Sequence, residues 1–104
     1  MLKERDIQAA IINYLSLFDH VRVFRINVGA VKFQDRFVRF GPKGMSDLIG
    51  IVQPSGRFLA IEVKTPTGKQ TDHQAAFQRT ITEMGGIYVL ARSIDDVTFL
   101  QNEQ

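Results

Sequence analysis

The 104-residue sequence contains no cysteine, which removes a disulfide framework, a thiolate metal site and a cysteine nucleophile from consideration. It also lacks any apolar run approaching the roughly 18 residues needed to cross a bilayer, so no membrane span is expected. Its opening segment, MLKERDIQAA, is too charged to serve as a secretory signal. Hydrophobic residues make up 44% and charged residues 23%, close to the averages for soluble globular proteins. Such a chain buries enough apolar surface to offset the entropy of ordering, which argues against intrinsic disorder. A single soluble, intracellular domain over residues 1–104 is the expectation.

Acids are scarce in one stretch. From Arg22 to Lys43 the basic residues are Arg22, Arg25, Lys32, Arg36, Arg39 and Lys43, against a single acid, Asp35. A local excess of this kind attracts polyanions over roughly a Debye length, about 8 Å at physiological salt. A merely solvated charged face is the other reading of the same residues.

Hydrophobic periodicity orders the rest. Ile7, Ala10, Ile11, Tyr14, Leu15 and Phe18 recur at spacings of three and four, predicting a helix over about 2–18, with Glu4 and Asp6 favoured in its first turn. The alternating segment VRVFRINV predicts a strand over 21–28, which Gly29 ends. Residues 33–40 read as a second strand or ribbon carrying Arg36 and Arg39 among Phe33, Phe37 and Phe40. Two apolar runs, 47–52 and 58–63, flank the turn-rich Gln53-Pro54-Ser55-Gly56 and predict an antiparallel hairpin in the core. A helix over about 72–84 follows, capped by Thr71 and stopped by Gly85-Gly86, then a strand over 87–91 and a short helical turn opened by Ser93. The order is that of an α/β domain with a mixed sheet.

The chemistry gathers at one end of the predicted hairpin. If the two runs pair, Asp47 at the start of the first lies beside Glu62 at the end of the second. Lys64 lies two residues further on, which places it on the face that Glu62 occupies. Charges inside so apolar a strand are costly unless paired or bound to an ion. Two carboxylates are hard oxygen ligands suited to Mg²⁺, and a neighbouring ammonium would orient water and stabilise charge on a phosphodiester. The competing reading is an exposed Glu62–Lys64 ion pair at a strand end. Thr71 and Gln74 also admit two readings, since together they compose a capping box. His20 and His73 receive no role.

The segments GMSDLIGIV, LAIEVKTPTGK and TDHQAAF together resemble the PD-(D/E)XK nuclease superfamily, and most closely its virus-type replication-repair branch, the VRR-NUC domain. The resemblance runs from Glu4 to about Ala91. It implies a restriction-endonuclease-like α/β core, a mixed central sheet flanked by helices in the order αβββαβ. It implies Asp47 and Glu62 as metal-binding carboxylates, the Val63 carbonyl as a further ligand, and Lys64 as the catalytic lysine. Gln74 would support the site, and Glu4 would reach the metal through water. Ser46 stands where the superfamily's name places a proline.

On that resemblance the expected activity is a Mg²⁺- or Mn²⁺-dependent, structure-specific endonuclease cutting DNA, a four-way junction or other branched or duplex DNA, as a homodimer in the cytoplasm of a bacterial or phage-infected cell. A catalytically inactive nucleic-acid-binding module is the alternative. Arg36, Arg39 and Lys43 are the expected phosphate contacts, with Lys69 in the loop after the Glu-x-Lys strand. Phe33, Phe37 and Phe40 could stack on unpaired bases, though core or subunit packing is the commoner use of such residues.

Overall fold

The computed structural model describes residues 2–26, 29–33, 36–40 and 43–103, with side chains described outside 27–42. Along these residues the chain forms α1 (Glu4–Leu15), β1 (Val21–Arg25), β2 (Gly29–Phe33), β3 (Arg36–Phe40), β4 (Leu48–Val52), β5 (Arg57–Val63), α2 (Asp72–Glu83), β6 (Ile87–Ala91) and a final 3₁₀ helix (Ile94–Asn102). Ile7, Ile11 and Leu15 recur every four residues in α1 and are all buried, the stripe of an amphipathic helix. The helix stops at Leu15, short of the expected Phe18. There the Ser16 hydroxyl donates to the Asn13 carbonyl at 2.7 Å, and the Leu17 and Phe18 N–H groups turn back to Tyr14 and Leu15, tightening the last turn into 3₁₀ geometry.

Four strands form a mixed sheet in the order β1-β4-β5-β6. The expected hairpin is present: β4 and β5 are antiparallel, with Leu48 opposite Ile61 and Val52 opposite Arg57. β5 and β6 run parallel, a pairing that requires a crossover, and α2 supplies it. The αβββαβ core is therefore α1, β1, β4, β5, α2 and β6.

Between β1 and β4 lies a separate two-stranded ribbon. Residues 33–40, read from sequence as one strand or ribbon, contribute only Phe33 and β3 to it; β2 pairs antiparallel with β3 from Gly29 opposite Phe40 to Phe33 opposite Arg36. Gly29, expected to end a strand, opens one, because glycine weakens strand backbone without forbidding it. The side chains of Lys32, Phe33, Arg36, Phe37, Arg39 and Phe40 lie outside the described residues.

The two faces of the main sheet differ in character. Leu48, Val52, Leu59, Ile61, Val63 and Val89 alternate on one face, buried with Ile7, Ile11 and Leu15 of α1 and Val97 and Leu100 of the 3₁₀ helix. The residues between them, including Glu62 and Tyr88, project from the opposite face. There α2 lies across β6, with the Phe77 ring edge-on to Tyr88 at 6.4 Å. β5, covered on both sides, is buried continuously from Leu59 to Val63. Among the described residues no helix is long and apolar enough to cross a membrane.

Gly44 fixes the approach to β4. Its φ is +84°, and a Cβ there would collide with the His73 carbonyl and the Gln74 nitrogen in the first turn of α2. Only glycine combines that backbone conformation with so close an approach. Substitution Gly44→Ala should cost about 1–3 kcal/mol from the backbone conformation alone, read as a lowered urea midpoint. An unchanged midpoint would show that the loop does not rest on α2.

Candidate active site

The register of β4 and β5 carries the acidic pair. With Leu48 opposite Ile61, the next step outward sets Asp47 opposite Glu62, both on the α2 face of the sheet. Asp47 is held from two sides: its carbonyl accepts the Ile26 N–H at 2.9 Å, and its Oδ2 accepts the Val63 N–H at 2.8 Å. The second bond gives Val63 a partner beyond the start of β4, where no strand pairing continues. The Val63 carbonyl lies on the same side of its strand as that N–H, and so toward Asp47.

Glu62 is the constrained member. It is 2% exposed, and its two carboxylate oxygens have different surroundings. Oε2 accepts a hydrogen bond from Gln74 Nε2 at 3.0 Å and lies 3.8 Å from Lys64 Nζ. Oε1 is buried with no hydrogen-bond partner. Burial pushes the carboxyl up from 4.5 to about 8; the Asp47 charge and, more weakly, the Glu4 charge add to the rise, and Lys64 opposes it. A buried carboxylate oxygen without a partner costs about 1–3 kcal/mol or more, which a residue retained only for stability would not carry.

Gln74 makes two kinds of contact, one within the cap and one to Glu62. Its backbone N–H donates to the Thr71 hydroxyl at 3.1 Å, and its Oε1 accepts the Thr71 N–H at 2.9 Å, the reciprocal pair of a capping box. Because Oε1 is committed to the cap, Nε2 is left to face Glu62. The cap thus orients the amide that grips the carboxylate.

The remaining sequence candidates fall into three groups. Glu4 is exposed in the first turn of α1, close enough for its charge to raise the Glu62 carboxyl. Among the described residues no three His, Asp or Glu side chains converge as a ligand cluster, so Glu4 stands apart from the Asp47–Glu62 pair. Lys43 and Lys69 are exposed, on the loops leading into β4 and out of β5. The side chains of Arg36 and Arg39 lie outside the described residues. His20 is half-buried, its Nε2 2.8 Å from the Leu100 carbonyl, and His73 is exposed.

Two residues beside the site were not singled out by sequence. Tyr88 shares the Glu62 face; its hydroxyl accepts from Gln70 Nε2 at 3.3 Å. Burial pushes its phenol up, the Gln70 hydrogen bond opposes that, and the Glu62 and Asp47 charges reinforce it. Arg92 follows β6 and bonds the loop after Lys64 through two carbonyls. Alternation along IYVLA could have placed Tyr88 on this face; no local spacing signals the contacts of Arg92.

The raised Glu62 carboxyl makes stability depend on pH. A group whose pKa is higher folded than unfolded contributes stability that is complete below the unfolded value and lost as pH rises through the folded one. Without added metal, wild type should therefore lose stability relative to Glu62→Gln between pH 4.5 and about 8, measured as the difference between their melting temperatures. Parallel curves for the two proteins would contradict the burial of an ionisable Glu62.

No curated protein matches this sequence. The VRR-NUC domain family, by contrast, matches residues 3–95, a span that includes Glu4, Asp47, Glu62, Lys64 and Gln74 in the arrangement just described. The chain belongs to the VRR-NUC domain family of nucleases.

Proposed function

We propose that this protein is a Mg²⁺- or Mn²⁺-dependent endonuclease that hydrolyses DNA phosphodiester bonds. The observation that supports it best is the buried, unpartnered Oε1 of Glu62 beside Asp47 and Lys64. Hard oxygen donors in this arrangement fit a small divalent cation, and Asp47, Glu62 and the Val63 carbonyl would hold it. Such an ion supplies an acidified water and stabilises negative charge on the phosphodiester.

The chain's own residues divide the remaining work. Gln74 Nε2 keeps Oε2 turned inward, which leaves Oε1 as the free donor of the Glu62 carboxylate. Lys64 places an ammonium next to that carboxylate, where it orients the attacking water and offsets charge developing on the phosphate. Glu4 adds negative potential from the start of α1 and reaches the ion through water. Lys43 and Lys69, with Arg36 and Arg39, hold the flanking phosphates, so that the acids meet their anionic substrate inside a basic surround.

A branched substrate such as a four-way junction, cut by a homodimer whose two-fold axis matches that of the DNA, extends this reading, as does a cytoplasmic setting in a bacterial or phage-infected cell. The alternative is a binding module without turnover. It has no use for Glu62, whose burial costs stability without adding a contact to phosphate.

Cleavage of four-way junction, flap, duplex and single-stranded DNA with each metal tests the proposal. Glu62→Gln and Lys64→Ala should each lower turnover by at least about a hundredfold, while DNA retention without metal changes little. If wild type leaves every substrate intact with both metals, the enzyme reading fails. A separate check is thermal: Mg²⁺ should raise the melting temperature of wild type, by mass action on the folded state, and leave that of Glu62→Gln unmoved.

A further inference from the structure

Lys64 and Gln74 approach the same atom, Glu62 Oε2, from the two ends of one connection. Lys64 follows β5 and Gln74 lies in the first turn of α2. Whether they meet on that oxygen depends on how the intervening chain is folded. Its first turn is closed locally: the Gly68 N–H donates to both the hydroxyl and the carbonyl of Thr65, each at 3.1 Å.

A second set of contacts comes from outside the connection. The Arg92 guanidinium donates through one nitrogen to the Thr65 and Gly68 carbonyls, both at 2.7 Å. Among the described residues, no other side chain from outside 65–68 bonds to that backbone. Arg92 is itself anchored, since its N–H donates to Asp96 Oδ2 at 2.8 Å. The residue before it, Ala91, accepts the Lys64 N–H at 3.0 Å, so Arg92 sits beside Lys64 across the parallel β5–β6 ladder. The clamped turn also lies along the lysine stem: a Cβ added at Gly68 would stand 3.5 Å from Lys64 Cδ and 3.2 Å from Thr65 Oγ1.

We propose that Arg92 is a positioning residue of the active site, its guanidinium closing the 65–68 turn onto the Lys64 stem and thereby fixing the convergence of Lys64 and Gln74 on Glu62. A guanidinium suits the task because the two N–H bonds of its terminal nitrogen lie in the plane of the group at a fixed angle, one for each carbonyl. Lysine keeps the charge and loses that geometry.

The kinetic arm of the test rests on the nuclease reading above. Arg92→Lys should lower kcat by roughly tenfold or more, as small misplacements of catalytic groups do, with KM changed by less than about twofold. In a Gln74→Ala background the same substitution should cost much less, because the two residues act on one geometry. Gly68→Ala, which presses on the turn while leaving Arg92 in place, should reproduce the loss of kcat.

The second arm needs no activity. Nuclear magnetic resonance should show the Gln74 side-chain amide and the Lys64 ammonium signals moving in Arg92→Lys, while the backbone amides of Leu59 and Val89 stay in place. Losses that multiply fully across the double variant, an unmoved Gln74 amide, or equal shifts in the core strands would each overturn the proposal. If wild type cuts nothing, the nuclease reading falls, and the spectra still decide the role of Arg92.

Discussion

The pairing register of β4 and β5 is the constraint on which the site depends. Because side chains alternate every residue, a slip by one position would move Asp47 or Glu62 to the α1 face and bury a carboxylate under Ile7 and Ile11. The apolar residues on either side exclude such a slip: Leu48, Val52, Leu59, Ile61 and Val63 all face the core with Leu48 opposite Ile61, and a one-residue shift would turn one strand's set outward. The hydrophobic effect, acting on residues that do no chemistry, thus sets the separation of the two that carry charge. The Asp47–Val63 hydrogen bond is a consequence of that register and extends it by one step.

The two faces of the sheet bear unequal loads. The α1 face is apolar and continuous, and most of the burial that stabilises the domain lies there. α2 has no fully buried residue. It is held at its start by the close approach of Gly44 to its first turn and by Gln74 on Glu62, and just past its end by the Arg57 Nε donating to the Gly85 carbonyl at 2.7 Å. Between them the Phe77–Tyr88 ring contact and the Gln70–Gln78 bond at 2.8 Å complete the attachment. The first turn of α2 holds the glutamine facing Glu62.

Much of this arrangement was legible in the sequence. Alternation and the Gln53–Gly56 turn were enough to pair Asp47 with Glu62, and the glycines after Met84 ended α2 where the structure ends it. The ribbon of β2 and β3 is legible only in part, because Gly29 carries the weight of a strand breaker in the sequence and hides the start of β2. The burial of Glu62 was open for a different reason. An exposed ion pair and a buried charged site have the same local pattern, and only the cover supplied by α2 separates them. Arg92 was invisible since its partners lie more than twenty positions away, at a distance no periodicity encodes. Gln74 shows a further limit: a capping box and a place beside the acids read as alternatives in sequence, yet the two ends of one amide face Thr71 and Glu62 at once.

The same asymmetry explains why a charged group persists in the middle of the sheet. Glu62 lies in the most completely covered strand, where an apolar side chain of similar size would remove the desolvation cost and the unpartnered oxygen together. Lys64 does little to lower that cost, since 3.8 Å is too long for a hydrogen bond and its effect on the carboxyl is smaller than that of burial and of Asp47. Both nearby acids make ionisation of Glu62 harder. An uncompensated carboxyl at a point where the fold is otherwise strongest is a cost that stability alone does not explain. The backbone of β5 makes that cost tolerable: its neighbours on both sides are fixed by ladder hydrogen bonds and by the α1 core, so the carboxyl cannot gain water through a shift of its own strand.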